Sequence, residues 1–310
     1  MHGQQKVSPR SWLAFELNVL RRLKFKSVTM PFTPEPALGA YLKRWDVRVS
    51  ANDPLQSSWV RAVAQIGNTG EKLSPEDVNV VLEDAYVPGY RHNNPALTNW
   101  FSETDAWWFD NVRQRIDLLP NPEKRAIASD IAIAAGQYVM SFADETRELR
   151  QPLSNAFRRL WSIQPEPVNN AANNVCRNER PDDFLIENFA DLLLLRLPAA
   201  HGQTTRAFLG RGAWREEWLR GGEDFWDDYE AAMSGRLGAA TETKSQYIRL
   251  VDEILRKATN FEHWAIVHVE TGFISTQDLV ETIAKIRRVE TVFTKDFSEL
   301  TGTKAVIISA

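Results

Sequence analysis

Asp191-Leu192-Leu193-Leu194-Leu195-Arg196-Leu197-Pro198 is the most apolar stretch of the chain, and its reading decides the fold. The leucines do not alternate with polar residues, so a strand built from them has no face for water. Such a run, begun by an acid and stopped by proline, reads as a strand buried on both faces of a parallel sheet; a buried helix is the rival. Upstream, Ser27-Val28-Thr29-Met30 reads as a short strand, and residues 37–44 as a helix after the rigid connection from Pro31 to Pro36. Asp46-Val47-Arg48-Val49-Ser50 reads as a second strand that stops at Asn52-Asp53-Pro54. Strand, helix and strand in so few residues open a βαβ unit, and βαβ units build parallel sheets.

The flanking segments fill in the rest. Residues 11–24 carry Leu13, Leu17, Leu20 and Leu23 at helical spacing and end on Arg21, Arg22 and Lys24, where the helix dipole favours cations. Beyond Ile66, Ser74-Pro75-Glu76-Asp77 and Ser102-Glu103-Thr104-Asp105 are helix starts, the second with an expected buried stripe of Trp108, Val112, Ile116 and Leu119. Residues 125–142 make a third, alanine-rich helix with Ile127, Ile131, Ala134 and Tyr138 on one face. Residues 164–181, with three prolines and several asparagines, read as a loop or linker, and 184–189 as a helix. Residues 210–229 read as loop, rich in tryptophan and acids. Then come a helix over 243–258 with Tyr247, Val251, Ile254 and Leu255 inward, a strand over 263–269, and a helix from the Ser275 cap to Arg288. Strands over 289–294 and 304–309 close the chain, antiparallel at one edge. The expectation is an α/β protein with a Rossmann-like, mostly parallel sheet: residues 1–67 and 182–310 form the α/β domain, and 68–181 the helical insertion and linker.

Composition excludes several classes. With 310 residues, 43% of them hydrophobic and 25% charged, the chain is neither disordered nor fibrous. Lys+Arg 37 against Asp+Glu 41 gives −4, which is no polycation for gripping phosphate backbones, although Arg21, Arg22, Lys24 and Lys26 make a local cationic set. The single Cys176 excludes disulfide frameworks and cysteine metal sites and suits a reducing cytoplasm. No apolar run of about 18 residues and no leader pattern follow Met1, so neither a membrane span nor a signal peptide is expected. The five histidines lack metal-ligand spacing, and the nucleophile elbow and phosphate-loop motifs are absent. The 11 tryptophans read first as packing, while Trp107, Trp214, Trp218 and Trp226, if exposed, would suit a protein interface.

Ligands of open parallel sheets bind at the carboxyl ends of strands, which selects three junctions. These are Met30-Pro31-Phe32-Thr33-Pro34-Glu35-Pro36, Ala51-Asn52-Asp53-Pro54 and Leu197-Pro198-Ala199-Ala200-His201-Gly202. Asp53 reads either as a ribose acceptor or as part of an Asn-Asp-Pro turn. His201 reads as a stacking or accepting group, or as a solvated loop side chain. Ser8-Pro9-Arg10 before the first helix, Pro31-Phe32 after the first strand, Asn52-Asp53 after the second and Leu195-Arg196-Leu197-Pro198 after the apolar run have a shared layout. So do Trp100-Phe101-Ser102-Glu103 and Asp110-Asn111-Val112-Arg113 in the middle third. This layout resembles the Dam-like class of adenine-specific DNA methyltransferases over nearly the whole chain.

The resemblance implies a methyltransferase-like sheet, S-adenosylmethionine as cofactor near Phe32 and Asp53, and a catalytic motif at Leu197, Pro198, Ala199 and Ala200. It also locates departures. Thr33-Pro34-Glu35-Pro36 stands where that family has a glycine loop, and proline fixes φ and adds bulk where close backbone approach is needed. Leu197 has no acceptor for the adenine amine, and Ala200 has no ring to stack on a flipped base. The expectation is a degenerate member that binds DNA or a protein partner without methyl transfer. The alternatives are an active, divergent methyltransferase and a scaffold that holds a nucleotide-like molecule at Asp53.

Overall fold

The leucine run is a central strand. The computed structural model describes residues 10–270 and 272–310; Ser8 and Pro9 of the basic segment lie outside them. The chain begins α1 (Arg10–Leu20), β1 (Ser27–Met30), α2 (Ala37–Lys43), β2 (Arg48–Asn52) and α3 (Gln56–Ala62), which a π-helical turn at Val63–Gly67 continues. Next come α4 (Pro75–Leu82), α5 (Glu103–Ile116), α6 (Pro122–Met140), α7 (Leu153–Ser162), β3 (Val175–Arg177), α8 (Pro181–Glu187) and β4 (Leu192–Arg196). The last part holds α9 (Thr205–Leu209), α10 (Trp214–Arg220), α11 (Trp226–Met233), α12 (Lys244–Lys257), β5 (His263–Glu270), α13 (Thr276–Ala284), β6 (Thr291–Asp296), α14 (Ser298–Thr301) and β7 (Lys304–Ser309).

The strands form one seven-stranded sheet of order β3-β2-β1-β4-β5-β7-β6. The first five are mutually parallel; β7 runs antiparallel to both β5 and β6. β4 pairs with β1 on one side, Val28 opposite Leu192, and with β5 on the other, Leu192 opposite His263. Leu192 and Leu194 enter the core under α1 and α2, whereas Leu193 and Leu195 enter the core under α8, α12 and α13, and none of the four is exposed at all. Each such side chain contributes roughly 2 kcal/mol by leaving water, which explains why the strand tolerates no polar alternation.

The excursion between β2 and β3 is a separate helical cluster. Ser74 opens α4 with a reciprocal capping box to Asp77, and Ser102 and Asn121 cap α5 and α6. Trp108, Val112, Ile116 and Leu119 form the buried stripe of α5 as expected, packed with Ile127 and Ile131 of α6 and Phe157 of α7. α10, far along the chain, adds Trp214 and Trp218 to the same cluster. Lys43, fully buried on α2, donates its Nζ to the carbonyls of Ile66 (2.8 Å) and Asn68 (2.5 Å), closing the open end of the π turn. Burial lowers its pKa.

Five expectations are corrected. The buried stripe of α1 is Trp12, Phe15, Val19 and Leu20, and Leu13 and Leu17 stay half-exposed, because the helix meets the sheet through its aromatic side. The segment 164–181 is not all loop: Val175–Arg177 adds an edge strand, too short to leave a periodicity. Residues 210–229 are largely helical, with Trp214 and Trp218 one turn apart facing inward. The helix after Ser275 stops at Ala284, short of Arg288. Finally, Trp107, Trp214, Trp218 and Trp226 are all buried, so they are core and present no interface. Among the described residues no helix is long and apolar enough to cross a membrane.

Gly136 of α6 is where this packing is tightest, since a Cβ there would overlap the Trp214 ring and come within 3.2 Å of Phe109. Gly136→Ala should therefore lose about 1–3 kcal/mol by overpacking despite alanine's better helix propensity, read as a lower urea midpoint at unchanged slope.

Candidate functional site

The chain winds outward from β1 to β3 in one direction and from β4 to β5 in the other, so the topological switch lies between the carboxyl ends of β1 and β4. The three junctions selected from the sequence meet along this edge. Asn52, buried, donates Nδ2 to the carbonyls of Pro31 (3.1 Å) and Glu179 (3.0 Å) and accepts the Glu179 N–H at 2.9 Å. Asp53 accepts the Thr33 N–H on Oδ2 (2.9 Å) and the Leu55 N–H on Oδ1 (3.0 Å). These two side chains staple the loops after β1, β2 and β3 together. Asp53 is only 4% exposed, and its pKa is pushed up to about 7: burial is the main cause, the Glu216 charge adds to it, and the two N–H donors oppose it.

The loop after β1 is closed over. Phe32 is buried in the core formed with Leu193, Leu195 and Leu237. The segment between α11 and α12 crosses above it at Gly238 (φ 98°), where a Cβ would stand 3.3 Å from the Phe32 ring and 3.7 Å from Pro198. Only glycine fits that approach in that conformation. At the end of β4, the Leu197 N–H continues the ladder to the Val267 carbonyl (2.9 Å), and the Pro198 carbonyl accepts the Tyr247 hydroxyl at 2.7 Å. Ala199 is exposed and Ala200 half-buried; neither carries a functional group. The His201 ring stacks on Phe208 at 3.9 Å and places Nδ1 2.8 Å from the Gln203 carbonyl.

Charged groups rim the same edge. Arg196 at the end of β4 forms a two-pronged pair with buried Glu16 of α1 (2.8 and 2.7 Å) and donates to the Glu35 carbonyl (3.2 Å). Arg61 of α3 bridges Glu35 (3.0 Å) and Asp130 of α6 (3.1 Å). Leu55 offers α3 no side-chain cap, and Glu216 of α10 supplies one instead, accepting the Gln56 and Ser57 N–H groups at 3.0 and 2.6 Å. Beyond Pro54 a cleft of about 510 Å³ opens between Arg180, Arg220, Tyr229 and Met233.

Phe32 and Pro198 are thus brought together under Gly238, and Asp53 is tied to their edge through Thr33. Arg21 and Arg22 belong elsewhere: they lie over the rings of Trp45 (4.9 Å) and Phe293 (5.6 Å), in the segment that leads into the amino end of β1. Sequence reading missed Arg61, Arg215, Glu216 and Tyr229. The Trp214-to-Trp218 spacing was the available signal, since it sets α10 as a helix and so Arg215 and Glu216 on its sides. Both oxygens of buried Asp53 accept backbone N–H groups, and the loop after β1 contains two prolines and an acid. Burial pushes the thiol of Cys176, on β3, up to about 12. No protein-family model and no curated protein matches the chain.

A carboxyl group whose folded pKa is about 7 against an ordinary 3.8 binds more protons folded than unfolded between those values, so its contribution to stability falls as pH rises from about 4 to 7 and is level above. The stability of the natural chain relative to Asp53→Asn should drop across that window by at most about 4 kcal/mol, measured by urea unfolding at stepped pH. A difference independent of pH would show that Asp53 is ionised throughout.

Proposed function

We propose that this chain is a methyltransferase-like binding subunit: a Rossmann-type sheet of the Dam-like layout that binds DNA or a protein partner and does not transfer methyl groups. The observation that carries this reading is the state of the edge between β1 and β4. In the resembled class the catalytic loop presents an acid or amide side chain and a free proline carbonyl to the adenine amine. Here Leu197 supplies no acceptor, and the Pro198 carbonyl is already taken by Tyr247. The strand order supports the sheet half of the reading, because β3-β2-β1-β4-β5 is the doubly wound order with its crevice at β1 and β4.

The energetic consequence is severe. Losing a preorganised acceptor costs on the order of 3–4 kcal/mol of transition-state stabilisation, by analogy with oxyanion-hole donors. Losing the stacking ring adds about 1–3 kcal/mol. Together they remove roughly a thousandfold or more in rate even if both ligands were bound.

Two measurements test the reading. Purified chain with labelled S-adenosylmethionine and mixed-sequence duplex DNA should give no methyladenine by nucleoside mass spectrometry. About 1 mM S-adenosylmethionine should leave the melting temperature unchanged, whereas a dissociation constant near 10 μM would add about 2.7 kcal/mol. Several turnovers per hour, abolished by Asp53→Ala, would establish the divergent-enzyme alternative instead.

A further inference from the structure

Cations gather at the amino end of the sheet, opposite the crevice. Arg21, Arg22, Lys24 and Lys26 lie on the segment from α1 into β1, and Arg44 and Arg48 on the segment from α2 into β2. The two segments are neighbours: Ser27 stands opposite Arg48 in the parallel pair, and the Arg48 N–H donates to the Lys26 carbonyl at 2.9 Å. Five of the six side chains are exposed and Arg48 is half-exposed, and none forms an ion pair among the described residues. The two segments hold one acid, Asp46. Asp191, at the start of β4, spends its Oδ2 on the N–H groups of Lys26 (2.7 Å) and Ser27 (3.0 Å). On a chain that carries −4 overall, this is a segregated positive face.

Helix ends account for part of it, because the carboxyl end of a helix attracts cations. That attraction fades within the last turn, however, and Lys24, Lys26 and Arg48 stand beyond it. The arginines are also mounted. Arg21 lies over the ring of Trp45 (4.9 Å), Arg44 over Tyr41 (5.2 Å) and Arg22 over Phe293 (5.6 Å). Contact with a ring holds a guanidinium in place without spending its N–H fork, and none of these three side chains donates a hydrogen bond among the described residues. We propose that this amino-end face binds the phosphate backbone of duplex nucleic acid. Pre-placed forks and point charges on two adjacent segments match a repeated row of phosphates. They match a lipid surface less well, since Trp45 and Phe293 are half-buried beneath their arginines and do not project past them. The inference rests on the DNA-binding branch of the proposed function and names its face. With β2 five residues long, a backbone held there lies roughly 17 Å from the carboxyl ends of the strands, in keeping with binding without methyl transfer.

The test follows two duplexes of unrelated sequence, each about 20 base pairs, by fluorescence anisotropy between about 50 and 200 mM salt. The double variant Lys24→Gln, Lys26→Gln should weaken both duplexes alike, by about tenfold at low salt, and should flatten the slope of log affinity against log salt by about two. Asp46→Asn should strengthen binding several-fold by removing the one acid of the two segments, and asparagine tolerates the left-handed φ of 59° there. Arg249→Gln, at an exposed arginine of α12 paired with Glu253, should stay within about twofold. All these side chains are exposed, so the variants fold. Duplex binding that neither the double variant nor Asp46→Asn changes overturns this face and leaves DNA binding itself standing. No duplex binding at low salt overturns the proposal together with the DNA branch of the reading, which then keeps only its protein partner. Binding to phosphatidylserine vesicles that the double variant abolishes, without duplex binding, assigns the face to a lipid surface and overturns the proposal as well.

Discussion

Where β1, β2 and β3 end, their ladders can no longer satisfy the backbone, and two adjacent side chains take over that task. Asn52 bonds to the chain after β1 and to both backbone groups of Glu179 after β3; Asp53 holds the Thr33 N–H and its own loop. Everything at the carboxyl edge follows from this staple. It fixes the loop that carries Glu35 toward Arg61, and it locks Phe32 down so that the Gly238 segment can cross above. It also holds the short β3 in register although that strand has only one neighbour. The staple has a cost, since burial and the Glu216 charge both disfavour the ionised form of Asp53 and raise its pKa.

The junction between the sheet and the helical cluster rests on a similar exchange of side chain for backbone. α10 lies between the two, with Trp214 and Trp218 sunk into the helical core and Glu216 and Glu217 turned to other duties. Glu217, wholly buried, accepts the indole N–H groups of Trp100 (2.6 Å) and Trp226 (3.0 Å) and pairs with Arg206 (2.8 Å). A buried carboxylate with three donors is satisfied, and it satisfies in turn the indoles of half-buried Trp100 and buried Trp226. Trp218 donates instead to the Phe109 carbonyl (2.8 Å), so two of the four tryptophans that the sequence offered as an interface are buried with their N–H groups paired.

Much of the sheet was legible because its signals are local. The unbroken leucine run, the Ser-Pro and Ser-Thr helix starts and the strands over Ser27–Met30 and Lys304–Ser309 each depend on residues within one element. What was not legible depends on partners far apart in the chain. β3 is three residues whose strand character comes from pairing with β2, more than 120 residues earlier. The site residues fail in the same way: Asp53 was recognisable as an acid after a strand, but nothing local reveals that Thr33 takes its oxygen. Nor does the text around Leu197-Pro198 show that Tyr247 takes the proline carbonyl.

At the carboxyl edge of the sheet the chain's own side chains thus take several backbone groups, and exposure separates these internal partners. Glu216 on the α3 N–H groups is 1% exposed, Asp53 4% and Tyr247 3%, so displacing any of them would strand buried polar groups. Glu35 alone of this set stands half in water, on an arginine whose other carboxylate partner, Asp130, remains when Glu35 leaves. Its ion pair contributes little by the standard of exposed pairs, about 1 kcal/mol or less. The carboxyl edge is therefore held by buried internal groups at Asp53, Glu216 and Tyr247, and Glu35 is the member whose release leaves the fewest buried groups unpaired.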